Sequence, residues 1–243
     1  LGANGAGKTS TLEVLEGYRS AVAGTATILG TNANDRSTVA ERVGVLLQDD
    51  GIYPAAKPED VVRLFHRLHA KRGPDPDQLI SQLGLQSRAR TPVRRLSGGE
   101  KRRLGIALAL TGAPDVLLLD EPTSGVDREG RQLLRDVLRS SRDTGAAILL
   151  TTHELDEAQR LADRIIILDD GRIVAEGTPD ELTRASSASG IRFSAEAGLD
   201  LTYLVVALGA QIDEVEPGEY HVGVPPTPSA LAKITAWMAE RQI

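Results

Sequence analysis

The chain has 243 residues, 28 Lys+Arg against 34 Asp+Glu for a net charge of −6, and is 41% hydrophobic and 26% charged. That make-up belongs to a folded globular protein with room for one full-sized domain and a small appendage, and its acidity argues against a general nucleic-acid binder, which needs a basic excess. The lack of cysteine excludes disulfides, thiol catalysis and cysteine-based metal sites, and no run of about 20 apolar residues offers a membrane span.

Residues 2–7 form a glycine-rich loop that leads into a predicted helix over 8–16, stopped by Gly17. A loop of this kind follows a buried strand that aims it. Gly2 stands directly after Leu1, so the sequence reads as a fragment whose leading strands lie upstream. It ends at Ile243 just as a helical pattern finishes, which reads as a second truncation.

Residues 25–29 alternate as a strand ending at Gly30, and 43–47 are a compact apolar run that predicts a buried strand followed by Gln48. Pro54 and Pro58 break the next segment, and helical spacing through Val61, Phe65 and Leu68 predicts a helix over 59–71. After the turn Gly73-Pro74-Asp75-Pro76 comes a short helix around 78–83. Ser97-Gly98-Gly99-Glu100 has capping-box form and opens a helix that Gly112 and Pro114 end. Residues 116–119 are an apolar strand that delivers Asp120 and Glu121 at its C-terminal end. A helix over 128–143, a strand over 146–150, a helix over 154–162 and a last strand over 164–168 before Asp169-Asp170-Gly171 complete the pattern.

Strands alternating with helices predict an α/β fold with a mainly parallel sheet covered on both faces. The inventory is a main domain over 1–183 with a helical insertion at about 50–110, and a small-residue linker over 184–190. A small α+β region over 191–243 follows, with strands near 191–193, 212 and 220–224 and helices over 199–208 and 229–241.

Gly2-Ala3-Asn4-Gly5-Ala6-Gly7-Lys8-Thr9 fits the pattern G-x-x-x-x-G-K-[ST], which chance produces about once in 20,000 positions. Its glycines let the backbone wrap a phosphate, consecutive N–H groups and the helix N-terminus supply positive potential, and Lys8 adds a mobile charge. Thr9 offers a hydroxyl to Mg²⁺. Asp120 at the end of a parallel strand is placed to hold that ion through water, and Glu121 to orient an attacking water. An Asp-Glu pair after an apolar strand is by itself a common surface turn; the phosphate loop gives it a catalytic reading.

Four segments together resemble the ATP-binding subunits of ABC transporters: the phosphate loop, Leu96-Ser97-Gly98-Gly99-Glu100, Asp120-Glu121-Pro122-Thr123-Ser124-Gly125-Val126-Asp127, and Thr151-Thr152-His153-Glu154. They occur in that family's order and at its spacings, over roughly 1–183. Residues 157–164 through 176–179 are most similar to the subunits of drug and antibiotic exporters. The resemblance implies a P-loop ATPase that binds ATP and Mg²⁺. Gly2, Asn4, Gly5, Ala6, Gly7, Lys8, Thr9 and Ser10 would contact the nucleotide, and Thr9, Gln48 and Asp120 the metal.

It further implies that Glu121, His153 and Gln48 serve hydrolysis, and that Ser97, Gly98 and Gly99 cap the γ-phosphate of ATP held by an opposite subunit. Asp127 would communicate across that dimer. The implied partners are an integral membrane permease and a second ATP-binding subunit, identical or related, with no nucleic acid. The implied place is the cytoplasm, peripheral on the inner face of the cell membrane, and the implied task is export of a drug, antibiotic or lipid-like substrate.

The family's adenine-stacking aromatic lies upstream of the phosphate loop, and Tyr18 comes too late to replace it. Glu100 stands where glutamine is commoner, and Ala55-Ala56-Lys57-Pro58-Glu59-Asp60 replaces the usual segment facing the membrane subunit. An importer subunit and a soluble non-transport ATPase stay open as alternatives. DNA-directed relatives, however, carry a long coiled coil where only 89 positions separate Lys8 from Ser97. His66 and His69, three apart on a predicted helix, have no third ligand nearby. Arg94-Arg95 with Lys101-Arg102-Arg103 reads equally as a solvated face or as a cluster near nucleotide.

Overall fold

A computed structural model describes residues 1–47, 51–70, 72–188 and 190–241. The chain divides into two compact units, Leu1–Ala162 with Ile166–Val174, and Asp163–Ile165 with Ala175–Ile243.

In the first unit α1 (Lys8–Leu15) leaves the glycine loop, followed by a two-residue hairpin β1 (Thr27–Ile28) and β2 (Thr31–Asn32), the short α2 (Arg36–Val39) and strand β3 (Val43–Leu46). Then come α3 (Pro58–Leu68), α4 (Pro76–Gln82), α5 (Gly98–Leu110), β4 (Val116–Asp120), α6 (Arg128–Asp143), β5 (Ala147–Thr151) and α7 (Leu155–Leu161). Caps set several of these bounds. Pro58 and Pro76 stand in the first turns of their helices, where a missing N–H costs nothing. Asp127 Oδ1 accepts the Gly130 N–H at the start of α6, and Ser97 and Glu100 complete a reciprocal capping box on α5.

Strands β3, β4 and β5 form a parallel sheet in that order, with Leu46 beside Leu119 and Asp120 beside Thr151. The central strand is buried on both faces, so successive side chains enter different cores. Leu118 packs with Leu12 of α1 and Ile28, while Leu117 and Leu119 join Leu46, Val62, Leu79, Leu104, Ile106 and Leu134 under the helices. Truncating one of these leucines to alanine costs about 2–5 kcal/mol. Helix α5 lies close on β3: a Cβ at Gly44 would come within 2.2 Å of Ala109 O and 2.8 Å of Leu117 Cδ2.

Three expectations need correcting. The strand β6 (Ile165–Asp169) does not close the pattern, because β7 (Arg172–Gly177) pairs with it in a two-stranded sheet. The turn is Asp170-Gly171, both at positive φ (44° and 73°), the backbone demanded by a tight hairpin. The stretch 184–190, read as linker, is helical as far as Ala188, within α8 (Pro179–Ala188). Thr178 and Glu181 exchange backbone-to-side-chain hydrogen bonds at its start, and a nucleated helix continues readily through alanine. The helix expected over 59–71 instead runs from Pro58 to Leu68, and Lys71 lies outside the described residues.

In the second unit β8 (Ile191–Ser194), α9 (Thr202–Leu208), β9 (Ile212–Glu216), β10 (Glu219–Val222) and α10 (Pro228–Glu240) follow. Antiparallel strands in the order β8-β10-β9 share a core of Ile191, Leu204, Val222, Ile234 and Trp237. Phe193 stacks on Tyr220 with ring centres 5.1 Å apart.

Candidate functional site

The glycine loop is seated by backbone contacts with β6 and the turn that follows it. Leu1 N donates to Ile166 O at 2.8 Å, Leu168 N donates to Leu1 O at 2.8 Å, and Gly171 N donates to Ala6 O at 3.2 Å. Gly2 has no room for a side chain there, since a Cβ would lie 2.4 Å from Leu168 O. Gly5 and Gly7 adopt φ of 86° and 98°, values that only glycine takes freely, and Gly7 caps α1.

Behind this loop the side chains converge. Lys8, buried, donates from Nζ to Gly2 O at 2.8 Å and Ala3 O at 3.1 Å, and its ammonium lies 3.7 Å from Glu121 Oε1. Thr9 Oγ1 donates to Asp120 Oδ2 at 2.9 Å, and Thr151 Oγ1 donates to Asp120 Oδ1. His153 Nδ1 donates to Glu121 Oε2 at 2.7 Å.

Glu121 is in the left-handed region, at φ 49°, which costs a side-chain-bearing residue about 1–2 kcal/mol. Neighbours hold it there. Its N–H donates to Thr151 O at 3.2 Å and Thr151 Oγ1 at 3.1 Å, and its carbonyl accepts from Arg102 Nε at 3.2 Å and from a second guanidinium nitrogen at 3.1 Å. At the far end of α1, partial burial and then the charges of Asp120 and Glu13 push the Glu16 carboxyl up to about 7, against the opposing pull of Arg36.

These groups open on a cleft of about 660 Å³ lined by Asn4, Gly5, Gly7, Lys8, Thr9, Ser10, Glu121 and His153, with Gly98, Arg102, Ser124 and Gly125. Most of the expected nucleotide contacts are thus brought together. Asp120 meets the cleft through Thr9 rather than on its wall. Gly2 and Ala6 are not on its wall: Gly2 lies against Leu168, and Ala6 is buried with its N–H donated to Ala3 O at 3.2 Å. Ser97, Gly99 and Asp127 do not line the cleft within this chain. The hydroxyl of Ser97 accepts the Glu100 N–H, and Gly99 lets α5 approach the Gly125–Val126 backbone, where a Cβ would be 3.0 Å from Gly125 O. Gln48 lies outside the described residues.

Glu100 closes its cap twice over. Partial burial alone would raise its carboxyl, but the Ser97 N–H and the Arg88 guanidinium hold it below the usual range. A second layer stands behind the histidine. Arg131 bonds both carboxylate oxygens of Glu154 and donates to Val126 O at 3.0 Å, while Arg135 meets Glu157 at 2.8 Å. The bond from Arg131 holds the Glu154 carboxyl low.

The site residue that composition left undecided is Arg102: it is buried, on the cleft wall, and bonded to Glu121 O and Leu47 O. The signal available was its place on the inward face of α5, three residues after Gly99 and four before Ile106, where a charge requires partners.

The comparisons with known proteins agree with this geometry. Residues 1–124, about half of the chain, match the ABC transporter family. The chain belongs to the ABC transporter family. Among its relatives, the Nod factor export ATP-binding protein I of Cupriavidus metallidurans is 42% identical over 190 residues, covering 75% of this chain and 62% of that protein. The protein of the same name from Burkholderia pseudomallei is 43% identical over 191 residues, covering 76% and 62%. The chain thus spans 62% of the length of these relatives.

Among solved ABC structures, the ATP-binding subunit of an ABC transporter superimposes with a TM-score of 0.68 at 27% identity, covering 86% of each chain. A dimeric ATP-binding cassette in a post-hydrolysis state, bound to ADP and Pi, shares the fold with a TM-score of 0.61 at 23% identity, over 73% of this chain and 83% of that one. Among the described residues no helix is long and apolar enough to cross a membrane.

Proposed function

We propose that the chain is the ATP-hydrolysing subunit of an ABC exporter. Residues 1–183 form its nucleotide-binding domain and 191–243 an accessory region. The observation that carries this reading is the position of Glu121, whose carboxylate lies between Lys8 at 3.7 Å and His153 at 2.7 Å on the wall of the glycine-loop cleft. A carboxylate so placed accepts a proton from a water that attacks a phosphate seated on the loop, and His153 steadies the charge that shifts onto it. Lys8 exchanges its carbonyl partners for phosphate oxygens, and the N–H groups of the loop and of the first turn of α1 receive the remaining charge.

Thr9 and Asp120 present a hydroxyl and a carboxylate in hydrogen-bond contact, an all-oxygen set that suits Mg²⁺. These residues would hold the ion, Asp120 through water, with Gln48 as a further ligand. When bound, Mg²⁺ neutralises charge on the phosphates. Two copies, or this chain and a near relative, would pair head to tail so that Ser97, Gly98 and Gly99 of one face the nucleotide of the other. A permease bound on the inner face of the membrane would convert their closing and opening into movement of a drug, antibiotic or lipid-like substrate. Export rather than import is favoured by the names of the relatives.

Phosphate release by the purified chain at saturating MgATP tests the reading. Glu121→Gln is expected to lose turnover about 100-fold while retaining nucleotide, and to accumulate as an ATP-bound dimer in size-exclusion chromatography. A wild-type chain without turnover, or a Glu121→Gln chain as fast as wild type, overturns it.

A further inference from the structure

The peptide unit at Glu121 is gripped from both sides, and one of the grips comes from a distant helix. Thr151 takes the N–H, and Arg102 donates two N–H groups to the carbonyl at 3.2 and 3.1 Å. A third N–H of the same guanidinium donates to Leu47 O at 2.6 Å, directly before Gln48. Arg102 is only 6% exposed, and it leaves α5 four residues after Gly98, with both residues on the cleft wall. One planar group therefore joins the first turns of α5, the end of β3 and the peptide that carries the carboxylate.

We infer that Arg102 is the positioning residue for Glu121: it locks the left-handed backbone that aims the carboxylate at Lys8 and His153, and it makes that aim depend on where the start of α5 stands. The contacts of Glu121 at 3.7 and 2.7 Å follow from its φ of 49°, because a right-handed or extended backbone would launch the side chain in another direction. A strained backbone persists only where its surroundings over-determine it. The guanidinium suits the task because its donors are fixed in one plane and reach two carbonyls at once, which an ammonium cannot reproduce. A displacement of Gly98 is then passed to Glu121 through a side chain of the same helix. The catalytic half of this inference rests on the hydrolysis proposed above.

Two measurements test it. In steady-state hydrolysis, Arg102→Lys is expected to lower kcat at least tenfold with KM within threefold. Guanidinium ion is expected to restore Arg102→Ala at least fivefold without restoring Glu121→Gln. A kcat within twofold of wild type for Arg102→Lys, in a chain whose wild type turns over, overturns the inference while leaving the proposed function standing.

The second measurement needs no turnover. Glu121→Gly and Glu121→Ala both remove the carboxylate, and the glycine variant alone relieves the left-handed backbone. Its melting temperature should exceed that of the alanine variant by about 3 °C. In the Arg102→Lys background that gap should shrink to less than half, since the backbone is free to relax. An unchanged gap overturns the inference whether or not the chain hydrolyses ATP.

Discussion

Thr9 Oγ1 donates a 2.9 Å hydrogen bond to Asp120 Oδ2 across 111 positions of sequence, and it fixes the first turn of α1 to the end of β4. The other carboxylate oxygen is taken by Thr151. The buried Asp120 thereby replaces with two hydroxyls the water it has given up.

Thr151 also accepts the Glu121 N–H, so Thr151→Val strips a partner from two groups at once. Unfolding by urea should show a loss of about 1–3 kcal/mol, and Thr151→Ser, which keeps the hydroxyl, should recover most of it. If valine and serine behave alike, the hydroxyl is not what holds the strand end.

Glu16 gives the protein a pH dependence of definite sign. Its carboxyl is raised from the ordinary 4.5 to about 7 in the folded chain. Below pH 4.5 both states are protonated and the stabilising contribution is complete. Between 4.5 and 7 the unfolded chain releases its proton first, so the contribution is lost as pH rises through that window. Glu16→Gln should therefore leave denaturant stability nearly unchanged at pH 4.5 and raise it at pH 8, by about 1 kcal/mol after allowing for solvent screening of a partly exposed group. An equal gain at both pH values would show that ionisation is not the source.

Arg131 ties the segment after His153 to the loop before Asp127, through Glu154 and Val126 O. Arg131→Met should cost about 1 kcal/mol, the scale of a partly exposed bidentate pair. Glu154, held low by that arginine, contributes stability above its ordinary pKa that is lost as pH falls. The difference between wild type and Arg131→Met should accordingly narrow in melts at pH 3.5 relative to pH 7; a constant difference would assign the loss to packing alone.

What could be read from the sequence was local. The glycine loop, the Ser97–Glu100 cap and the run of α6 from Arg128 to Asp143 depend on residues a few positions apart, and each is found where spacing placed it. Strand β7 was hidden because four of its six residues are exposed, which erases alternation; the Asp170-Gly171 pair was its only announcement. Arg102 could not be separated from its basic neighbours because its acceptors are main-chain carbonyls 19 and 55 positions away, and any residue supplies such a carbonyl. The burial of Ala6 could not be read from its place in the loop pattern, because it comes from how the loop folds back on the turn after β6.

At Gly44 a hydrogen atom does the work of a spacer. Because the Ala109 carbonyl would sit 2.2 Å from any Cβ there, even one added methyl must lever α5 outward, and the same rigid rod carries Gly98 and Arg102 at its other end. The gauge of the cleft is thus set at the rim of the sheet, by the smallest residue of an edge strand that never touches it.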